Sequence, residues 1–194
     1  MFAEYEIKAS LIAALEQALE ETGVPTGEGG WEVIARNPQV MTYGDKVILV
    51  DKVSLKRQGF QSTAYGKVDV KDKDGKVIGV KHIEREQWIE EIVWQVSALR
   101  KRQVDDDVGT TTADDVLKKL IWWLNSRRGA TAMRGREDVP FAPVFTSATR
   151  SNVYEDDSDN KQIEESFDFK MIVLQVADLD SKVVDELDWE THPI

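Results

Sequence analysis

The chain has 194 residues, no cysteine and a formal net charge of -11, because 36 acidic side chains outnumber 25 lysines and arginines. This length predicts a single domain, residues 1–194, with one hydrophobic core. The lack of cysteine excludes disulfides and thiolate metal sites, and it favours folding in a reducing cytoplasm. A chain this acidic is a poor general binder of nucleic acid, because phosphates repel it.

The N-terminal segment does not have the composition of a secretory signal. Glu4, Glu6 and Lys8 stand where the apolar core of such a signal would lie. No window approaches the roughly 18 consecutive apolar residues of a membrane-spanning helix. We therefore expect no membrane partner.

The first predicted element is an amphipathic helix over residues 3–22. Its apolar stripe has helical spacing and consists of Ile7, Leu11, Leu15 and Leu19. Gly23 is a natural helix stop. The glycine- and proline-rich residues 24–30 are interpreted as a flexible linker, so that residues 1–30 form an N-terminal helix and linker.

Strands are predicted from residue 31 to about residue 102. Residues 45–55 are rich in valine and isoleucine. Residues 84–99 give the clearest strand, with Trp88, Glu90, Ile92 and Trp94 on one face. Glu84, Glu86, Glu90 and Glu91 are interpreted as solvated or interface charges rather than as a catalytic carboxylate pair.

A projecting β-hairpin is predicted between these strands. Asp72-Lys73-Asp74-Gly75 is a turn sequence, because Asp-Gly supplies the positive φ angles that a hairpin turn needs. The alternating flanks, residues 67–70 and 76–80, indicate two short strands.

A second helix is predicted from Thr111 or Thr112 to about residue 127. Trp122 and Trp123 are adjacent, so at least one must lie at the margin of the buried stripe or face a neighbour. Residues 127–136 are interpreted as a basic, glycine-containing loop.

The last third of the chain predicts two strands, residues 145–150 and 167–176, joined by an acidic link over residues 154–165. An acidic tail, residues 178–194, follows them. The element order indicates an α+β fold in which helices pack on one face of an antiparallel sheet.

The sequence holds little that predicts catalysis. His82 and His192 are the two histidines, and no phosphate-binding loop or nucleophile motif is present. Asp156–Asn160 offers oxygen ligands but lacks the glycine and glutamate of a calcium loop, so an acidic hairpin loop is the preferred interpretation. We expect no enzymatic activity, no metal and no cofactor.

Seven residues are candidates for a subunit interface. The basic cluster either forms ordinary surface charge near a helix C-terminus or provides a docking patch for an acidic neighbour. Large aromatics on a long strand suit a buried interface. The candidates are Arg127, Arg128, Arg134, Arg136, Asp74, Trp88 and Trp94.

The sequence resembles bacteriophage neck and tail-terminator proteins over about residues 31–177. In the last third, the resemblance rests on a strand with a polar turn (residues 144–150), an acidic stretch (152–157) and an amphipathic strand (165–171). Upstream, it rests on a central strand (residues 85–96) and a helix (113–126). It is also carried by a strand start at residues 44–47.

The resemblance implies a hexameric ring in the virion neck that caps the tail tube. The implied partners are other copies of the chain, the tail tube protein and the head-side connector or collar protein. Genomic DNA would pass through an acidic lumen without specific binding, and the family carries no catalytic residue. Two alternatives remain open: another phage structural subunit (tail-completion, connector or baseplate), and a host-derived binding module or small enzyme.

Overall fold

The computed structural model of the protein describes residues 1–37, 39, 43–101, 111–145, 149–155 and 161–179. The helices are α1 (Glu4–Glu21), α2 (Ala113–Asn125) and α3 (Arg127–Arg134). The strands are β1 (Glu32–Ala35), β2 (Val47–Lys71), β3 (Val77–Lys101), β4 (Ala142–Phe145), β5 (Arg150–Glu155) and β6 (Lys161–Leu179). The predicted α+β class is confirmed.

The chain divides into two compact units. The larger comprises Phe2–Arg57 and Glu90–Val173, and it contains all three helices. The smaller comprises Met1, Gln58–Ile89 and the residues from Leu174 onward. The strands β2, β3 and β6 contribute residues to both units.

The described strands form one six-stranded sheet in the order β1-β2-β3-β6-β4, and β5 pairs with β6. β4 and β5 both run antiparallel to β6, with Val144 opposite Lys170 and Arg150 opposite Ser166. β1 instead runs parallel to β2, with Glu32 opposite Val47. The sheet is therefore mostly antiparallel, as predicted, with one parallel pair at the β1 edge.

The core of the larger unit lies between the helices and one face of the sheet. The predicted stripe of α1 is buried, as are Leu117, Leu120 and Trp123 of α2. Alternate residues of the central strands complete the core: Ile92, Trp94, Val96, Ala98, Phe167, Phe169, Met171 and Val173. Burial of every second residue on a strand places one face inward, so the prediction that helices pack on one face is confirmed.

The smaller unit contains the predicted hairpin turn. Asp72 Oδ1 accepts hydrogen bonds from the backbone N–H groups of Asp74 (3.0 Å) and Lys76 (2.9 Å). Gly75 has φ +79°, as an Asp-Gly turn requires. The flanks are not short strands, however, because β2 and β3 each run unbroken for 25 residues.

Several predicted boundaries in the C-terminal half are corrected. The predicted basic loop is mostly the helix α3, since Ser126 Oγ accepts the Gly129 N–H (2.9 Å) and caps a new helix. The predicted strand 145–150 is split between the end of β4 and the start of β5. The predicted acidic link is largely strand, because Arg150–Glu155 pairs with residues 161–166 of β6.

The glycine-rich residues 24–30 form a closed turn rather than the flexible linker that we expected. The Trp31 N–H donates to the Pro25 carbonyl (2.8 Å), and the Gly30 N–H donates to the Gly27 carbonyl (2.9 Å). A Cβ at Gly30 would lie 2.7 Å from the Pro25 oxygen, so only glycine fits there. The calcium-ligand candidates of residues 156–160 and the acidic tail from residue 180 lie outside the described residues.

Candidate subunit interfaces

The basic part of the chain is a helical pair. Residues 116–136 contain six lysines and arginines and no acidic residue. Thr112 is the N-cap of α2. Its Oγ1 accepts the Asp115 N–H (3.1 Å), and the Asp115 carboxylate accepts the Thr112 N–H (3.1 Å). A Cβ at Gly129 would lie 2.2 Å from the Trp123 carbonyl oxygen, so α3 can follow α2 this closely because residue 129 is glycine.

The four predicted arginines differ in their contacts. Arg136 donates from Nε to Ser10 Oγ (2.8 Å) and forms two 3.0 Å bonds with the Asp138 carboxylate, so it links the end of α3 to α1. Arg128 pairs with Glu21 at 3.0 Å while its side chain stays 79% exposed. Arg127 and Arg134 are exposed and have no ion pair with any residue that the structure describes. Three of the four arginines are therefore available at the surface.

Glu21 connects α1 to the basic helices. Its carboxylate accepts the Trp123 indole N–H (2.8 Å) and pairs with Arg128, and its other oxygen accepts from Gln17 (3.0 Å). The bond from Trp123, followed by the bond from Gln17 and the charge of Arg128, lowers the pKa of Glu21 below its usual value of 4.5. The carboxylate therefore stays ionised where the helices meet.

A surface groove lies beside this contact. We call it the Trp122 groove; it holds about 460 Å³ and is lined by Glu21, Thr22, Lys118, Lys119 and Trp122. Trp122 is 67% exposed, whereas Trp123 is buried in the core. The prediction that the adjacent tryptophans cannot both be central is confirmed. The sequence analysis nevertheless missed Trp122 as an interface candidate, although the helical spacing already placed it off the stripe.

The face of the sheet away from the helices carries apolar side chains as well. Lys52 pairs with Glu4 of α1, so Val53, the next residue on β2, points away from the helices. Val53 is 56% exposed and Leu55 is 47% exposed. On the neighbouring strands β3, β6 and β4, this face continues with Val93, Ile172 and Val144, which are half-buried or exposed.

Ion pairs surround this apolar row. Lys170 Nζ lies 2.6 Å from Glu91 Oε1 across β6 and β3. Arg36 reaches Glu164 at 3.1 Å, and Glu164 is 4% exposed. Glu90, on the opposite face, lies 3.9 Å from Arg57. The glutamates of β3 that we interpreted as solvated are thus ion-paired in the cases of Glu90 and Glu91.

Among the described residues, one edge of the sheet in the larger unit is only partly covered. β1 covers β2 only from Val47 to Val50, and the Arg36 N–H makes a last bond to the Val50 carbonyl (2.9 Å). From Asp51 to Arg57, no described strand lies on that side of β2. An uncovered edge strand presents backbone groups that can pair with another chain.

The remaining predicted interface residues lie elsewhere. Asp74 is exposed at the hairpin turn of the smaller unit. Trp94 is fully buried in the core and Trp88 is 7% exposed. Both tryptophans therefore pack within the chain, and Trp94 does so in the core beneath the helices.

Among the described residues, no group of three or more His, Asp or Glu side chains could hold a metal ion. No described helix is long and apolar enough to cross a membrane. A second groove, of about 740 Å³, lies along the glycine-rich turn and is lined by Glu16, Glu20, Glu32 and Asp45 among others. Its carboxylates would repel an anionic ligand.

An open sheet edge, an exposed apolar row and an exposed tryptophan in a basic groove are surface features typical of a subunit of a larger assembly. A family model described as E217 gateway protein gp29 matches residues 6–176. The chain belongs to this phage gateway family. No curated protein matches the chain.

This membership confirms the coarse prediction made from residues 31–177. The chain is a bacteriophage protein of the head–tail junction, and its role is structural joining of head and tail components. The C-terminal boundary of the match agrees with the prediction, but the match begins at residue 6 rather than near residue 31, so it also includes most of α1.

Proposed function

We propose that this chain closes into a ring at the head–tail junction, caps the tail tube and joins it to the head-side connector. Assembly is the activity in this account, and it needs no reactive side chain. The observation that carries the proposal is the open β2 edge with its exposed apolar residues Val53 and Leu55. The family membership supplies the location.

The proposal of a closed ring depends on two surfaces of different chemistry that can meet between neighbouring copies. The larger unit presents an apolar, strand-edged surface at β2 and a separate basic surface at α2 and α3. Contacts between unlike surfaces are heterologous, and a heterologous contact closes into a ring when its rotation divides a full turn. We propose six copies per ring.

Charge governs what such a ring would do to DNA. Each copy has a formal charge of -11. A ring of six copies would repel a duplex that comes within a Debye length, roughly 8 Å at physiological salt. Genomic DNA would then pass through the lumen without sticking to it.

The interface can be tested with a paired substitution on the β2 edge. Val53→Asp with Leu55→Asp should abolish rings in mass photometry, because it places two charges in an apolar contact. Far-UV circular dichroism should stay unchanged, because both side chains are about half exposed. Ile78→Asp is the matched control, since Ile78 is 64% exposed on β3 of the smaller unit.

Loss of rings in the double variant together with normal assembly of the control supports the β2 interface. Rings that survive the double variant would rule out this surface. Capping itself is tested by adding the purified protein to isolated tail tubes and counting tube ends that carry a ring in negative-stain images.

A further inference from the structure

The Trp122 groove is built as a contact site rather than as ordinary surface. Trp122 is 67% exposed, and Lys118 and Lys119 lie beside it. Large aromatics flanked by cations are common anchors of interfaces. The acids near these lysines already have other partners. Glu21 is bonded to Trp123 and Arg128, and Asp114 pairs with Lys118. Asp115 accepts from Thr112, and Glu165 accepts from Ser151.

The charge of this region is opposite to that of the rest of the chain. Residues 116–136 carry six positive charges and no negative one, within a chain of net charge -11. The remaining residues therefore have a net charge of -17. An acidic segment is the occupant that such a surface favours electrostatically.

The chain itself contains a segment of that chemistry. Residues 180–194, which follow the described part of β6, hold five acidic residues and one lysine. The same segment has apolar residues that could meet an exposed indole, namely Val183, Val184, Leu187 and Trp189. The tail therefore has both acidic residues that match the lysines of the Trp122 groove and apolar residues that match its indole.

The segment is long enough to reach another subunit. The described part of β6 ends at Leu179, and residues 180–194 follow it. Fifteen extended residues span at most roughly 50 Å. That reach exceeds the width of a small domain.

We propose that residues 180–194 of one copy dock on the Trp122 groove of the next copy, as a strap that joins neighbouring subunits. The inference rests on the proposed ring, because a tail donated head-to-tail around a ring is a heterologous contact. The cations of α2 and α3 hold the acidic residues, and Trp122 holds the apolar ones.

The direct test is photo-crosslinking within assembled full-length protein. A photo-crosslinking amino acid replaces Asn125, which is exposed one turn beyond Trp122 on the same face of α2. Labelled and unlabelled chains are mixed before assembly, and crosslinked peptides are mapped by mass spectrometry. We expect crosslinks from position 125 to peptides within residues 180–194. Each crosslink should join a labelled chain to an unlabelled one.

The outcomes separate the strap from the ring. Intact rings whose crosslinks fall on other peptides, or join residues of one chain only, overturn the strap and leave the proposed function standing. Protein that forms no ring overturns both. Glu28, which is exposed in the glycine-rich turn beside a groove lined by carboxylates, is the control position and should not crosslink to the tail.

A charge exchange provides a second test. Lys118→Glu with Lys119→Glu should weaken ring assembly about tenfold, since a tenfold change corresponds to about 1.4 kcal/mol. Asp185→Lys with Glu186→Lys should do the same, and the four changes together should restore assembly. A combined variant no better than either parent would contradict the strap. Trp122→Ser should also weaken assembly, whereas Tyr5→Ser should not.

Discussion

At the scale of single residues, the two positions that decide how the basic helices sit are Gly129 and Glu21. Gly129 permits the close turn between α2 and α3, and Glu21 ties both helices to α1 through Trp123 and Arg128. The sequence analysis assigned no role to either residue. Both roles depend on contacts between elements, which spacing along the chain does not display.

Replacing Gly129 should cost stability directly. Gly129→Ala places a methyl group 2.2 Å from a backbone oxygen, so the helices must separate, and overpacking of this kind costs about 1–3 kcal/mol. Urea denaturation followed by circular dichroism measures the change. Gly79→Ala is the control, because a Cβ at Gly79 meets nothing within 4 Å. Equal urea midpoints for Gly129→Ala and Gly79→Ala would contradict the close approach of Gly129 to the Trp123 carbonyl.

Glu21 should contribute to the pH dependence of stability. Its pKa is lowered in the folded chain, so its contribution is fully present above its ordinary value of 4.5 and is lost as the pH falls through the folded pKa. Glu21→Gln should therefore lower the free energy of unfolding at pH 7. On acidification, the free energy of unfolding of this variant should fall less than that of the parent chain. Urea midpoints measured from pH 7 to pH 3 provide the comparison, and parallel curves would count against this assignment.

At the scale of elements, the helices were predicted better than the strands. α1 and the start of α2 follow from apolar periodicity and from Thr112 at the N-cap, which are local properties. The 25-residue lengths of β2 and β3 were not predicted, because pairing with a neighbouring strand keeps polar stretches extended. The parallel β1–β2 pair has the same origin, since pairing direction is a tertiary property.

The cap of α2 provides a local test of this reasoning. Thr112→Ala removes the hydroxyl that accepts the Asp115 N–H and should destabilise the protein by about 1 kcal/mol. Thr111→Ala is the matched control, since Thr111 contacts Arg100 through its backbone carbonyl, which the substitution retains. Thermal denaturation of both variants distinguishes them, and a Thr112→Ala variant as stable as the control would exclude the cap.

At the scale of the whole molecule, burial separates candidate interface residues from core residues. Trp88 and Trp94 were interface candidates from sequence because they are large and lie on a long strand, but both are buried within the chain. Trp122, Val53 and Leu55 are exposed on surfaces that no described part of the chain covers. A helical wheel or a strand alternation identifies faces, but only the packed structure tells which face stays uncovered.

The central claim is that copies of this chain join through these uncovered surfaces into a closed ring. Native mass spectrometry of the purified full-length protein, over a range of concentrations and at near-physiological ionic strength, tests it most directly. The account predicts one dominant closed species of six copies, with no continuous series of larger assemblies. A protein that stays monomeric at every concentration, or that extends into open-ended chains, would contradict it.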